Sequence, residues 1–159
     1  MTKATILTPP TAIVYGIDRS PSLFLGGSID QGEAIDWQTK LINEIADIPC
    51  TIYNPRRPNW DKEIIQSYED PAFYQQVYWE LDHLEEADVI AMHFADNSKS
   101  PISLLEFGMF AKSEKMIVFC DDFYRSGNIE IVCRREGIPL HNNWNDWRNQ
   151  IIEALKNVE

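Results

Sequence analysis

VIAMHFADNSKSPISLLEFGMFAKSEKMIVFC, residues 89–120, is the stretch on which the fold turns. Its first run, 89–94, is nearly continuous in apolar residues, as expected of a central parallel strand covered on both faces. A polar loop over 95–99 leads to Ser100-Pro101, a plausible helix start, and then to a helical segment over 102–112. A second apolar run, 116–120, closes the unit. Strand, helix and strand in succession are the pattern of a parallel sheet covered by helices.

The same alternation extends in both directions. Upstream, Asp70 is a good N-cap and Pro71 suits the first helical position, with Phe73, Val77, Leu81 and Leu84 as the predicted buried stripe. Before it, an apolar run at 50–53 stops at NPRRP, 54–58, which two prolines keep out of regular structure. Earlier still, SLFLGG at 22–27 reads as the first strand, followed by a helix with Ala34, Trp37, Leu41 and Ile45 on one face. Downstream come a helix near 129–136, a weak strand near 138–140 and a last helix carrying Trp147, Ile151, Leu155 and Val158. The expectation is one doubly wound, flavodoxin-like α/β domain over 22–159, with helices on both faces. Its five-stranded parallel sheet takes the order 2-1-3-4-5. Residues 1–21 fall outside the alternation and read as an arm or an edge strand, with TAIVYGI at 11–17 as the strand-like part. In such sheets ligands bind beyond the carboxyl ends of the strands where the order reverses. Here that points to Gly26, Gly27, Ser28 and the segment 95–106.

A chain of 159 residues fits one domain, and at this size roughly 70% of the unfolded surface is buried. Lys and Arg number 14 against 25 Asp and Glu, a net charge of −11. That field repels phosphate backbones and argues against nucleic acid as a partner. It does not exclude a small nucleotide met by a few placed arginines. No apolar run approaches the roughly 20 residues of a membrane helix, and the first ten residues lack the pattern of a signal peptide. Cys50, Cys120 and Cys133 form no CxxC pair, so a reducing cytoplasm is the simplest setting. His83, His93 and His141 share no ligand spacing with a cysteine, so neither metal nor cofactor is expected.

Glu106 is the most unusual residue in the chain, a carboxylate in the apolar run LLEFGMF, 104–110. Burying such a charge without partners is expensive. It is therefore either a site residue or a helix surface residue facing solvent. Glu80 lies at the edge of the stripe on the preceding helix. Two carboxylates converging on one cleft suit glycosidic chemistry. Trp79, on the face opposite that stripe, requires a loop or partner to cover it. Gly26-Gly27-Ser28 lets a ligand approach the backbone, though the spacing is not a dinucleotide fingerprint. Arg56 and Arg57 can meet a phosphate or a base edge or remain solvated.

These pieces together resemble the nucleoside 2-deoxyribosyltransferase-like family. The resemblance rests on FLGGSI at 24–29, YNPRR at 53–57 followed by Trp60, LDHLEEADVIAMHF at 81–94 and SPISLLEFGMFAKSEKMIVFC at 100–120. It covers roughly residues 23–135 and implies an enzyme acting on the N-glycosidic bond of a nucleoside or nucleotide, by transfer or hydrolysis. On that resemblance Glu106 is the nucleophile at C1′ and Glu80 assists base and sugar. Trp37, Tyr53, Trp60 and Phe94 are candidates to stack on the base, and the small-molecule partner is a nucleoside or nucleotide. Relatives of this kind complete each site with a neighbour's residue, which implies a homo-oligomer and gives that part to Asn128. The sequence departs from the pattern in Phe24, where the transferases carry tyrosine. It departs again in Ser100 and Glu80, each where they carry aspartate. The alternative reading is a catalytically silent nucleotide-binding sensor or regulatory module.

Overall fold

A computed structural model describes residues 3–11, 20–30, 33–58, 61 and 63–159. Its six strands are β1 (Thr5–Leu7), β2 (Ser22–Gly27), β3 (Thr51–Tyr53), β4 (Val89–Phe94), β5 (Met116–Cys120) and β6 (Leu140–His141). Five helices, α1 (Trp37–Glu44), α2 (Pro71–Glu86), α3 (Pro101–Phe110), α4 (Ser126–Glu136) and α5 (Trp144–Lys156), connect and cover them. All pairs are parallel, in the order β1-β3-β2-β4-β5-β6. The expected α/β class and reversal point hold, but the sheet has six strands rather than five. The addition is β1, which lies outside β3 with Thr5 opposite Thr51 and Leu7 opposite Tyr53. Three residues at an exposed edge carry too little apolar periodicity to announce themselves. The strand-like stretch predicted at 11–17 lies, beyond Thr11, outside the described residues.

The pleat of the sheet divides the core in two. Phe24, Tyr53, Ile90, Met92 and Phe94 belong to the layer that holds Trp79, Leu84, Phe107 and Ile129 of α2, α3 and α4. Leu23, Leu25, Ile52, Val89 and Ala91 belong to the opposite layer, with Trp37 and Leu41 of α1 and Trp147 and Ile151 of α5. Alternate residues of one strand thus serve different layers. The central strands β2 and β4 are buried along their whole length, which explains why 89–94 reads as a nearly continuous apolar run.

Helix α2 differs from its predicted face. Asp70 does cap α2, accepting from the N–H groups of Ala72 and Phe73, with Pro71 in the first turn. The fully buried positions on α2, however, are Gln76, Trp79, His83 and Leu84, while Phe73, Val77 and Leu81 are half-buried. Trp79 is covered by the chain itself: its indole N–H donates to the Thr11 carbonyl at 2.8 Å, and its ring stacks on His83. A polar and aromatic face turned inward is the first sign that α2 borders a site as well as a core.

Candidate active site

Helix α3 is inverted. Its sheet-facing residues are Ser103, Glu106 and Phe107, whereas Ile102, Leu105 and Met109 are 57%, 59% and 56% exposed. Residues three and four apart share a helical face, so the register that buries Ser103 necessarily buries Glu106 and turns the larger aliphatics outward. Glu106 is 8% exposed, which removes the solvent-facing alternative.

Within this layer Glu106 meets Glu80. The two carboxyl groups are hydrogen-bonded to one another, an arrangement that needs a shared proton. Burial pushes both groups upward. Against that, hydrogen bonds from Gln76 and Glu106 and the charge of Arg57 favour the ionised form of Glu80. Glu106 is pushed up to about 8 by burial, then by the charge of Glu80 and their mutual hydrogen bond. Gln76 and Arg57 thus favour the charge on Glu80, while burial and the neighbouring charge favour the proton on Glu106. Gln76 Nε2 donates to Glu80 Oε1 at 2.5 Å and to the Pro55 carbonyl at 3.4 Å, tying the pair to the loop after β3.

At its carboxyl end β2 closes in a cradle of small residues. Gly27 has φ +130°, and a Cβ there would lie 2.1 Å from the His93 carbonyl oxygen, so only glycine fits between β2 and β4. Ser28 N–H then donates to that same carbonyl at 2.9 Å. Its hydroxyl accepts from Ala95 N–H at 2.9 Å and bonds the Ser100 hydroxyl at 2.6 Å. Ser100 also bonds the Ser98 hydroxyl, and its N–H donates to Asp30 Oδ1 at 3.3 Å. Ser100 stands at the N-cap of α3 with φ 46°, a left-handed conformation that is strained for serine and held by these bonds. The helix that carries Glu106 is thus fixed at its start to the glycine turn of β2.

The predicted residues divide accordingly. Glu106 and Glu80 meet, and Gly26, Gly27, Ser28 and Ser100 gather where the strand order reverses. Tyr53 is buried in the same layer, edge-on to His83 at 4.6 Å between ring centroids. Phe94 is enclosed between Phe107 and Phe123, with no exposed surface. Trp37 lies in the opposite layer, stacked on His93, and donates to the Ser28 carbonyl at 3.0 Å, so it supports the cradle from behind. Arg56 clamps the turn before α1, donating to the carbonyls of Ala34 and Ile35 and to Gln38. Asn128 is exposed on α4. Trp60 lies outside the described residues.

Gln76, Ser98 and Asp30 were not singled out in the sequence, where their types carry no signal without the fold. A separate cavity of about 360 Å³ at the ends of β5 and β6 is lined by Cys120, Asp121, Ser126, Glu130, Leu140, His141 and Asn142. It shares no residue with the carboxyl pair. Two carboxyls in contact inside the protein are a costly arrangement to retain. Among the described residues no three His, Cys, Asp or Glu side chains gather as a metal site, and no helix is long and apolar enough to cross a membrane.

Comparison with known proteins bears on the fold and the family. A conserved protein from Enterococcus faecalis V583 shares the fold at a TM-score of 0.55 and 11% identity, over 86% of this chain and 97% of its own. No curated protein matches the chain. Residues 20–124 match the family described as nucleoside 2-deoxyribosyltransferase like, a span that holds both carboxyls and the cradle, and the chain belongs to that family.

Proposed function

We propose that this member of the nucleoside 2-deoxyribosyltransferase-like family cleaves the N-glycosidic bond of a nucleoside or nucleotide and passes the sugar to a second base or to water. The observation that carries the reading is the hydrogen-bonded pair of buried Glu106 and half-buried Glu80. Such a pair holds one proton and one negative charge, which are what the first step consumes. Glu106 transfers its proton to Glu80 and attacks C1′. The C1′–N bond breaks, its electrons go to the base, and Glu80 delivers the proton to a base nitrogen. In the second step an incoming base or water loses its proton to Glu80 and attacks C1′, and the ester to Glu106 breaks. The pair is then restored with its single proton.

Ser28 and Ser100, fixed to each other, offer hydroxyls for the sugar, and the backbone at Gly26 and Gly27 allows close approach. Tyr53, Phe24 and Trp79 line the layer beside the carboxyls. The exposed aliphatic face of α3, Ile102, Leu105 and Met109, supports a homo-oligomer, since aliphatics presented in a row on one helix favour a covering surface. In that assembly Asn128 is the residue assigned to a neighbour's site. Three buried, unpaired thiols support a cytoplasmic location.

The test is chromatography of the purified protein with a panel of nucleosides and nucleotides, with and without a second free base. Base exchange identifies a transferase, and base release with water alone a hydrolase. No turnover with any member, while ligand still raises the melting temperature, refutes this reading in favour of a binding module.

A further inference from the structure

Around Glu80, three buried polar atoms have no hydrogen-bond partner among the described residues: Nε and Nη2 of Arg57 and Oε1 of Gln76. Folded proteins seldom leave buried donors and acceptors unpaired, because each loses its water without compensation. The orientation of the Gln76 amide is fixed by its surroundings. Its nitrogen faces two acceptors, Glu80 Oε1 and the Pro55 carbonyl, and only the NH2 end can serve both, so the carbonyl oxygen is the end left over. The Arg57 guanidinium is near enough to Glu80 for its charge to favour the ionised carboxyl. Its Nε–Nη2 edge is the side-on fork of arginine, with two parallel N–H groups spaced for two adjacent acceptors. The neighbouring Arg56 is engaged elsewhere, in the turn before α1.

The unpaired set is therefore two donors side by side and one acceptor, next to a carboxyl pair that carries negative charge. A phosphate suits it poorly, since it brings no hydrogen for Gln76 Oε1 and is repelled by Glu80. The edge of a heterocyclic base suits it well. Resting on the glycosidic reading above, we infer that Arg57 and Gln76 form the base-recognition edge of the site, selecting a base whose edge reads acceptor, acceptor, donor. Two common bases present that order: 6-oxopurines, through N7, O6 and N1–H, and cytosine, through O2, N3 and the N4 amine. Adenine, uracil and thymine have no two adjacent acceptors followed by a donor. The position also suits the chemistry, because the base is the group that leaves toward Glu80.

The experiment is calorimetric titration of the full-length protein with inosine, cytidine, adenosine, uridine and inosine 5′-monophosphate, read as binding and independent of turnover. Inosine or cytidine binding at least tenfold more tightly than both adenosine and uridine supports the inference, and whichever of the two it is names the base class. In Arg57→Lys, which keeps the charge beside Glu80 and loses the fork, that preference falls to within about threefold. Equal affinities across the four nucleosides in the unaltered protein overturn the inference while leaving glycosidic chemistry intact. A preference that survives Arg57→Lys overturns it too. So does a gain from the 5′-phosphate that disappears with Arg57, since the fork would then read an oxyanion. Absence of binding by every ligand overturns both this inference and the reading on which it rests.

Discussion

Replacing Glu106 by Gln preserves the shape of the side chain and a donor toward Glu80, and removes the charge. In the native protein the Glu106 carboxyl is raised from its ordinary value of 4.5 to about 8. A carboxyl raised on folding binds its proton more tightly than the unfolded chain does. The associated stability is full below about pH 4.5 and is lost progressively as the pH climbs to 8. At about 1.4 kcal/mol per pH unit, and allowing for sharing within the pair, ionising Glu106 costs on the order of 3–5 kcal/mol. The groups facing it are Glu80 and, through Glu80, Arg57 and Gln76, and these remain in the variant. His83, whose imidazole is lowered by burial, titrates in the opposite sense in both proteins and cancels in the difference. Glu106→Gln is therefore expected to melt on the order of 10 °C above the native protein at pH 8.5. At pH 5 the two should agree to within about 1 kcal/mol. Thermal melts by circular dichroism across pH 5 to 9 measure this directly. A gap that is the same at both ends of the range, or a variant less stable at pH 8.5, would refute the shared buried proton.

Further outcomes follow from the same geometry. Turnover requires the pair to hold one proton, so kcat is expected to fall as the pH rises through about 8, where Glu106 gives that proton up. A pH profile flat to pH 10 contradicts this. Gly27→Ala places a methyl against the His93 backbone at φ +130° and is expected to cost about 3 kcal/mol or more by denaturant titration, since backbone has no flexible end to move. His93 is stacked between Trp37 and Phe119, with Nδ1 unpaired, and its imidazole is held down to about 3 by burial. His93→Phe removes a buried polar atom and should be neutral to stabilising by about 0–2 kcal/mol. It should also remove the His93 share of the loss of stability as the pH falls from 6.5 toward 3, leaving that of His83, both read from melts.

Much of this was legible because the central strands are buried on both faces. β4 and β5 have the bounds that their unbroken apolar runs announce. β1 was not, since Thr5, Ile6 and Leu7 at a sheet edge bury too little to impose a pattern. The face of α2 was misread for a different reason. Val77 and Leu81 look like core by type, yet the positions turned inward are Gln76, Trp79 and His83, whose Nε2, indole N–H and Nδ1 meet Glu80, the Thr11 carbonyl and the Trp79 carbonyl. Glu106 stood out as a lone carboxylate among apolar neighbours. What one dimension could not show is that Leu105 and Met109 face outward and leave the carboxyl to the interior. Nor could sequence separate Arg56 from Arg57, because the turn before α1 that Arg56 clamps and the Glu80 carboxyl beside Arg57 are brought to the loop after β3 only by the fold.

The most direct test of the central claim is to trap the glycosyl-enzyme. A nucleoside bearing fluorine at C2′ withdraws electrons from C1′ and slows release of the sugar. Acid quench and peptide mass mapping then locate any adduct. The account predicts one sugar residue esterified on the peptide that holds Glu106, absent from Glu106→Gln, with the released base in equal amount. An adduct on Glu80, or base released with no adduct on any residue, would contradict it.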